Sequence, residues 1–94
     1  MRKEKLMKIK KGFLMREVAG ENVVIAVGEA AKSFKGMIRL NPTGAFLWKL
    51  LEKDTDEAAM VSAMLDAYET DKETAENDIR AFVGSIRAAG LLDE

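Results

Sequence analysis

A chain of 94 residues with a hydrophobic fraction of 48% has apolar material for one core, so we expect a single domain. Its 15 basic residues are offset by 16 acidic ones, and a formal net charge of −1 argues against a partner bound through nucleic acid phosphates. Cysteine and histidine are absent, which excludes disulfides, zinc ligation by these residues and imidazole acid–base chemistry. No apolar run approaches the length of a membrane span, and we expect a cytoplasmic protein with no membrane partner.

The N-terminal segment is the most basic part of the chain. Residues 1–12 carry six lysine or arginine side chains and a single acid, with few apolar residues to anchor them. Basic arms are common, and chain termini tend to fray in solution. We therefore predict a basic N-terminal arm at residues 1–12, followed by one folded domain at residues 13–94 that is acidic by comparison.

Two runs rich in valine, isoleucine, phenylalanine and methionine predict a β-hairpin. They cover residues 13–18 and 23–27, and residues 19–22 between them include a glycine and an asparagine. Both of these residue types tolerate the positive φ that a tight turn requires. After the hairpin, residues 28–35 are predicted to form a loop.

A third strand is predicted at residues 36–40. Met37 and Arg39 alternate there with Ile38 and Leu40, and successive side chains of a strand point to opposite faces. One face of this strand is therefore expected to belong to the core, while the other face is partly open to solvent.

An asparagine–proline pair after this strand predicts the start of a helix. The side chain of Asn41 can accept hydrogen bonds from free amides of the first turn, and Pro42 lacks a donor that would have no partner there. The helix is predicted to run to about Lys53. Its apolar residues cover so much of its circumference that it must be buried on more than one side, as a central helix would be.

The second helix is predicted to extend to about Tyr68, with Asp54 or Thr55 as its cap. Glu57 lies three residues after Asp54, which is the spacing of a capping box. Apolar residues recur along this helix at intervals of three and four, and we expect that stripe to face the core: Val61, Met64, Leu65 and Tyr68.

The third helix is predicted to begin at a cap formed by Thr70 or Asp71 and to end at Gly90, where a left-handed residue can stop it. Its apolar side chains form one stripe: Ala75, Ile79, Phe82, Val83 and Ile86. After the helix, Leu91 and Leu92 are expected to fold back as a small hydrophobic latch.

Three strands followed by three helices predict an α+β domain. The last two helices are joined by a short connection, which is compatible with a helix-turn-helix beside a small sheet. The predicted fold is therefore winged-helix-like, with a three-stranded antiparallel sheet followed by three helices. Such an outline does not decide function, because one fold can support different activities.

Side chains suited to catalysis are few. The candidate carboxylate pairs lie at predicted helix starts, where they interact favourably with free amides and the helix dipole: Asp54 with Asp56, and Glu73 with Glu76. The serines have no histidine to activate them, and the glycines do not form a phosphate-binding loop. We therefore expect a protein that is not an enzyme and needs no metal or cofactor.

A winged-helix DNA-binding regulator is the alternative function for this outline. A recognition helix should expose basic or amide side chains to phosphates and base edges. In the third helix the basic side chains are offset by an equal number of acidic ones. The basic residues are Lys72, Arg80 and Arg87, and the acidic residues are Glu73, Glu76 and Asp78. The field over this helix is close to neutral or negative, so the sequence favours a partner other than nucleic acid.

Binding of an extended peptide is a further hypothesis. A strand at residues 36–40 that lies at the sheet edge would present backbone groups to which a peptide can add. Each hydrogen bond gained this way is worth only about 0.5 to 1.5 kcal/mol net, so apolar contacts are also needed. The apolar stripe of the third helix can supply these contacts or can belong entirely to the core, and periodicity leaves both open.

Four segments carry a family pattern: GFLMREV, ENVVIAV, GMIRLNPTGAFLWKLLEK and DEAAMVSAMLDAYETDKETAENDIRAFVGSIRAAGLL. The most specific piece is the strand-to-helix junction LNPTGAFLWKLL, and the turn at residues 68–71 and the ending at residues 90–92 add to it. The pattern covers about residues 8–92. It resembles pyrroloquinoline quinone biosynthesis protein D and its relatives, the precursor-peptide recognition elements.

The resemblance implies a function as well as a fold. In this family the leader of a ribosomally made precursor peptide adds as a strand beside the third strand and packs against the third helix. The domain delivers that peptide to a modifying enzyme, often a radical S-adenosylmethionine enzyme. By position, the resemblance implies these peptide-binding residues: Lys35, Gly36, Met37, Ile38, Arg39, Leu40, Asp78, Ile79, Phe82, Val83 and Ile86. The precursor, the enzyme and the choice between a monomer and a dimer are left open.

Overall fold

The computed structural model describes residues 6–94. Its strands are β1 (Lys8–Ile9), β2 (Phe13–Val18), β3 (Glu21–Ala26), β4 (Met37–Leu40) and β5 (Leu92–Asp93). Its helices are α1 (Ala30–Ser33), α2 (Pro42–Leu50), α3 (Glu57–Ala67) and α4 (Lys72–Ala88). β2, β3 and β4 form an antiparallel sheet in that order, and β1 pairs antiparallel with β5. The predicted three-stranded sheet followed by three helices is confirmed, and one short helix and a two-stranded ribbon are added to it.

The hairpin between β2 and β3 turns over two residues, Ala19 and Gly20. Their φ angles are 52° and 82°, and two consecutive positive values are typical of the type I′ turn that matches the twist of paired strands. Val18 lies opposite Glu21 at the closed end of the hairpin. The predicted hairpin is confirmed, with a shorter turn than the sequence suggested.

The segment before β4 differs from the prediction, because α1 occupies part of the expected loop. Alanine and lysine favour a helical turn, and Phe34 at the end of α1 packs edge-on against Phe13, with ring centroids 5.5 Å apart. In β4 the predicted alternation is confirmed. Ile38 and Leu40 pack against the core, whereas Met37 is exposed on the opposite face with its neighbour Arg39.

α2 and α4 begin at the predicted caps. Asn41 Oδ1 accepts a hydrogen bond from the amide of Gly44 at 2.7 Å, and Asp71 Oδ1 accepts one from the amide of Thr74 at the same distance. Each cap gives a partner to an amide that the first helical turn would otherwise leave free. α2 ends at Leu50, three residues earlier than predicted.

The cap of α3 differs from the prediction. Asp56, rather than Asp54 or Thr55, accepts the hydrogen bond from the amide of Ala59, at 2.8 Å. The reason lies in the preceding residue, since Thr55 forms an isolated antiparallel bridge with Met7. An extended backbone at Thr55 delays the start of the helix.

The core surrounds α2, as predicted for a central helix. The largest fully buried side chains come from β3, the three long helices and their flanking residues: Trp48, Leu47, Leu51, Met60, Ile79, Leu91, Val24 and Val83. A helix with so many apolar positions is stable only when neighbours cover it on several sides. Here the sheet, α3 and α4 provide that cover.

α3 faces the core with only part of the predicted stripe. Met60 and Met64 are buried, whereas Leu65 and Tyr68 are 38% and 37% exposed and Val61 is partly buried. The helix is apolar over more than one stripe, so periodicity alone does not decide which one faces inward. The packing of α3 against α2 and α4 makes that choice.

The second half of the predicted arm belongs to the folded domain. Met7 is 5% exposed, and the amides of Ile9 and Lys10 donate to the carbonyls of Leu51 and Leu91 at 2.8 Å. The apolar residues that looked too sparse to anchor a terminus are enough, because the ribbon also supplies backbone hydrogen bonds. Residues 7–10 of the predicted arm are therefore part of the folded domain, and the first five residues of the arm lie outside the described part of the chain.

The C-terminus follows the prediction. Gly90 has a φ of 82° after α4, its amide donates to the carbonyl of Arg87, and the amide of Leu91 donates to the carbonyl of Ile86. These two bonds form a Schellman motif, which satisfies carbonyls at the helix end. Leu91 and Leu92 are buried in the core, so the predicted latch is confirmed.

Candidate functional site

The outer side of β4 is a free edge of the sheet. Among residues 6–94 no strand pairs with that side. The two-residue turn makes Val18 and Glu21 a hydrogen-bonded pair, and such pairs alternate with non-bonded ones along antiparallel strands. The same alternation applies between β3 and β4. It places the backbone amides and carbonyls of Met37 and Arg39 on the unpaired side of β4. These groups can pair with an added strand.

A groove lies beside this edge, between β4 and α4. Its first part is a cavity of 270 Å³. Phe82 and Ile86 contribute the wall on the α4 side, and Ile38 and Leu40 contribute the wall on the sheet side. The other lining residues are Arg39, Asn41, Gly44 and Ser85. A side chain projecting inward from a strand added to β4 would enter this cavity.

The groove continues past Phe82 toward the start of α2. A second cavity of 260 Å³ shares Asn41, Gly44 and Phe82 with the first. Its remaining lining residues are Thr43, Leu47, Asp78 and Ala81. Because the two cavities have these residues in common, they form one surface, which we call the β4–α4 groove.

Gly44 gives the groove its floor. A Cβ atom at this position would lie 3.1 Å from Asn41 Oδ1, 3.4 Å from Phe82 Cε1 and 3.5 Å from Leu40 Cβ. Such contacts are tight, so any side chain here would fill space between α2 and α4. The glycine therefore lets the cap, the strand end and Phe82 approach one another and still leave an open channel.

The structure brings together part of the predicted site. Six of the predicted residues line the groove: Ile38, Arg39, Leu40, Asp78, Phe82 and Ile86. Lys35 and Gly36 precede β4 and are exposed, and Met37 is exposed on the outer face of the sheet. None of these three residues lines either cavity of the groove.

Two predicted residues on α4 lie in the core. Ile79 and Val83 are 0% and 1% exposed, and they belong to the cluster around α2. Their side chains line neither cavity of the groove. Ile86 belongs to the same cluster and is 3% exposed, but it also lines the groove. Within the apolar stripe of α4, Phe82 and Ile86 therefore form the groove wall, while Ile79 and Val83 only pack the helix against the rest of the domain.

Several residues of the groove were not predicted as site residues. Asn41, Thr43 and Gly44 belong to the junction motif, but the sequence explained them only as the start of a helix. The signal was the junction itself: β4 runs directly into α2, so the cap of α2 must lie at the end of the free strand. Ser85 lies three residues after Phe82 and Ala81 lies three residues after Asp78, and residues three and four apart share a helix face, so the predicted residues of α4 could have indicated both.

α4 is fixed at both ends. The backbone amide of Thr74, followed by its side chain, hydrogen bonds the carboxylate of Asp71 and holds the pKa of that carboxyl below its usual value. At the other end Arg87 donates to both carboxylate oxygens of Glu94, at 2.7 and 2.9 Å, and this raises the pKa of the guanidinium. These contacts stabilise the two ends of the helix that forms one wall of the groove.

These contacts also bear on the alternative partners. Arg87 is paired with both carboxylate oxygens of Glu94, so one of the cations that a recognition helix would offer is already neutralised, and Arg80 Nη1 donates to Asn77 Oδ1 at 3.2 Å. Nothing here favours the DNA-binding alternative. Within residues 6–94, no helix has the length and apolar character required to cross a membrane.

Comparison with solved structures supports the fold. One is described as TbiB1 in complex with the TbiA(beta) leader peptide, with a TM-score of 0.72 and 24% identity over 92% of this chain and 94% of that chain. Another is a lasso peptide synthetase B1 complexed with the leader peptide, with a TM-score of 0.72 and 19% identity over 94% of this chain and 98% of that chain. At these identities the likeness shows a shared fold.

Comparison at the level of sequence shows the family. No curated protein sequence matches the chain. The family model for Coenzyme PQQ synthesis protein D (PqqD) matches residues 16–92, from β2 to the first residue of β5. The match takes in β3, β4, the second half of β2, the three long helices and both walls of the groove, and it confirms the resemblance seen in the junction motif. The chain belongs to the PqqD family.

Proposed function

We propose that this protein binds the leader segment of a ribosomally made precursor peptide and presents it to the enzyme that modifies the peptide. The observation that carries the proposal is the free backbone edge of β4 beside the β4–α4 groove. A leader added there would pair with the backbone groups of Met37 and Arg39, and every second side chain would enter the groove. The two similar solved structures are described as complexes with leader peptides.

The energetics require both the edge and the groove. Each backbone hydrogen bond contributes about 0.5 to 1.5 kcal/mol net. Ordering each residue of a flexible leader costs about 1 to 2 kcal/mol of backbone entropy. The hydrogen bonds therefore roughly balance the ordering, and the surplus must come from apolar side chains buried against Phe82, Ile86 and Leu40, at about 25 cal/mol per Å². The residues of the groove are thus expected to set the affinity.

We propose a role in delivery and not in catalysis. The groove is lined mainly by apolar side chains, and Asp78 is the one carboxylate among its lining residues. The PqqD family suggests a radical S-adenosylmethionine enzyme as the partner, whereas one structural neighbour bears the name of a lasso peptide synthetase. We therefore define the partner as the enzyme that modifies the bound precursor, in the cytoplasm where ribosomal peptides are made.

The test is a titration of isotope-labelled protein with the synthetic leader of the precursor encoded beside its gene. We expect amide shifts concentrated in β4, at Gly44 and along the Phe82 face of α4. The amides of Met37 and Arg39 should also exchange more slowly with solvent once the peptide is bound. A scrambled leader of the same composition serves as the control. Shifts confined to β2 or to the β1–β5 ribbon would reject this groove as the site.

A further inference from the structure

We propose that Arg39 selects leaders in which an acidic residue lies opposite it, flanked on both sides by apolar residues that enter the β4–α4 groove. This inference rests on the proposed function, and it names the class of peptide sequence that the site accepts. Three observations support it: the orientation of Arg39 at the free edge, the incomplete ion pairing of its guanidinium, and the charge at the other end of the groove.

The orientation comes from the strand register. Arg39 is one of the two β4 residues whose backbone groups face the free edge, so a leader residue opposite it would form a hydrogen-bonded pair with Cα atoms about 5.5 Å apart. The side chain of that leader residue would lie on the outer face of the sheet with Arg39. Its neighbours would point to the inner face, where Ile38 and Leu40 line the groove.

The guanidinium of Arg39 has donors to spare. Its side chain is 75% exposed, and within the described part of the chain its ion-pair contact is with Glu21, from Nε to Oε1 at 3.8 Å. A charge-assisted hydrogen bond to a carboxylate is about 2.7 to 2.9 Å long, so this contact is a loose one. Opposite charges facing each other across paired strands are favourable, and like charges are unfavourable. A leader carboxylate can therefore complete the pairing.

The preference for an acidic leader residue applies to the position opposite Arg39. Beyond Phe82 the groove is lined by Asp78, which opposes a second negative charge there. Next to Arg39 on the outer face, Met37 is 61% exposed and favours an apolar neighbour. On the inner face Leu40, Phe82 and Ile86 favour apolar side chains at the positions that flank the acid. The pattern expected at β4 is therefore apolar, acidic, apolar.

The experiment uses a displayed library of random peptides selected on the full-length protein. Three forms are compared: the natural chain, Arg39→Glu and Arg16→Glu. For the natural chain we expect enriched peptides to share an aspartate or glutamate between two apolar residues. For Arg39→Glu the central acid should be replaced by lysine or arginine. Synthetic versions of an enriched peptide with Glu or Lys at the centre should differ about fivefold in Kd, in opposite directions for the two proteins.

Arg16→Glu is the matched control. Arg16 pairs with Val23, which pairs in turn with Arg39, so both arginines belong to one row on the outer face of the sheet. Both substitutions change the net charge by the same amount. Arg16 lies two strands from Arg39, a separation of roughly 10 Å, and it cannot reach the residue opposite β4. A general electrostatic effect would appear in both variants, whereas direct selection appears only in Arg39→Glu.

The outcomes separate this inference from the proposed function. If no peptide is enriched on any form, peptide binding itself is rejected and the role of Arg39 falls with it. If apolar peptides are enriched without a central acid, or if the acid persists on Arg39→Glu, the selection by Arg39 is overturned while peptide binding stands. Equal loss of the preference in both variants also overturns it. Reversal in Arg39→Glu alone supports it.

Discussion

The sheet has two outer strands, β2 and β4, and they differ in what lies beside them. Within residues 6–94 neither outer side is paired with another strand. β4 runs into the cap of α2 and faces α4 across the groove, whereas β2 contributes its first residue, Phe13, to a separate cavity beside α1. β2 also carries the adjacent charges Arg16 and Glu17, and charged side chains discourage edge pairing.

This contrast implies that a free edge alone is not sufficient for recognition. Backbone groups are the same at every residue, so an edge alone would accept any extended chain. The groove beside β4 adds side-chain contacts, and their fit depends on the sequence of the bound peptide. We therefore expect substitutions at β4 and α4 to alter leader binding, and equivalent substitutions at β2 to leave it unchanged.

The largest effect is expected from proline at the two edges. The alternation that turns the amide of Arg39 outward also turns that of Glu17 outward on β2. Arg39→Pro removes a donor, and its ring occupies space that the leader needs, so leader affinity should fall at least about tenfold. Glu17→Pro should leave the affinity within about twofold. Fluorescence anisotropy with a labelled leader measures both, and circular dichroism checks the fold.

Arg39→Ala is the control that separates the lost charge from the lost backbone donor. It should weaken binding less than Arg39→Pro, because the alanine amide can still pair with the leader. If Arg39→Pro and Glu17→Pro weaken binding equally, the two edges are equivalent and the contrast between them is wrong.

A smaller effect is expected from adding one methyl group at either of two helical glycines. Gly44→Ala places a Cβ against Asn41 and Phe82 on the groove floor, so we expect leader affinity to fall several-fold. Gly84→Ala adds the same group where no atom lies within 4 Å of the new Cβ. It should raise the free energy of unfolding by up to about 1 kcal/mol, since alanine is the better helix former.

Denaturant unfolding and anisotropy distinguish these two variants. Gly84→Ala should bind the leader as the natural chain does. Reduced affinity in Gly84→Ala, or unchanged affinity in Gly44→Ala, would show that the floor of the groove does not contact the leader.

The smallest effect concerns pH and the anchoring of α4. Because the pKa of Asp71 is lowered in the folded state, its ionised form favours folding. That contribution is complete above the pKa of an unfolded aspartate, about 3.9, and is lost as the pH falls through the lower folded value. The stability difference between the natural chain and Asp71→Ala should therefore be constant near neutrality and shrink below about pH 4.

Carboxyl-detected NMR titration of Asp71 checks the direction of this shift, and denaturant unfolding at several pH values checks its consequence. Thr74→Ala removes the side-chain contact but keeps the backbone amide, so it should move the titration midpoint only part of the way back. A midpoint at or above the ordinary aspartate value would contradict the proposed cap.

Much of the fold could be predicted because its signals are local. A tight turn, a helix cap and a glycine at a helix end each depend on a few neighbouring residues. The predictions of the hairpin, of the caps Asn41 and Asp71 and of the helix end at Gly90 are confirmed for that reason. The alternation in β4 is confirmed for the same reason. The cap of α3 was wrong because Thr55 pairs with Met7, a partner 48 positions away that no local pattern indicates.

The candidate site was predictable only in part. The family resemblance indicated β4 and α4, and Phe82 and Ile86 do line the groove. It did not distinguish them from Ile79 and Val83, which share the same stripe but line neither cavity of the groove. The residues of one apolar stripe can face the core or a neighbouring groove. Only the position of the adjacent strand decides which residues line the groove.

Taken alone, the order of the residues specifies the types of element, most of their ends, the lack of cysteine and histidine chemistry, and membership of the family. These properties follow from spacing, from composition and from backbone preferences that act over a few residues. The three-dimensional packing decides which apolar residues of α3 are buried, how residues 7–10 join the domain and which sheet edge faces α4 across a groove. Burial is a property of what packs against a residue, and the partners here come from distant parts of the chain.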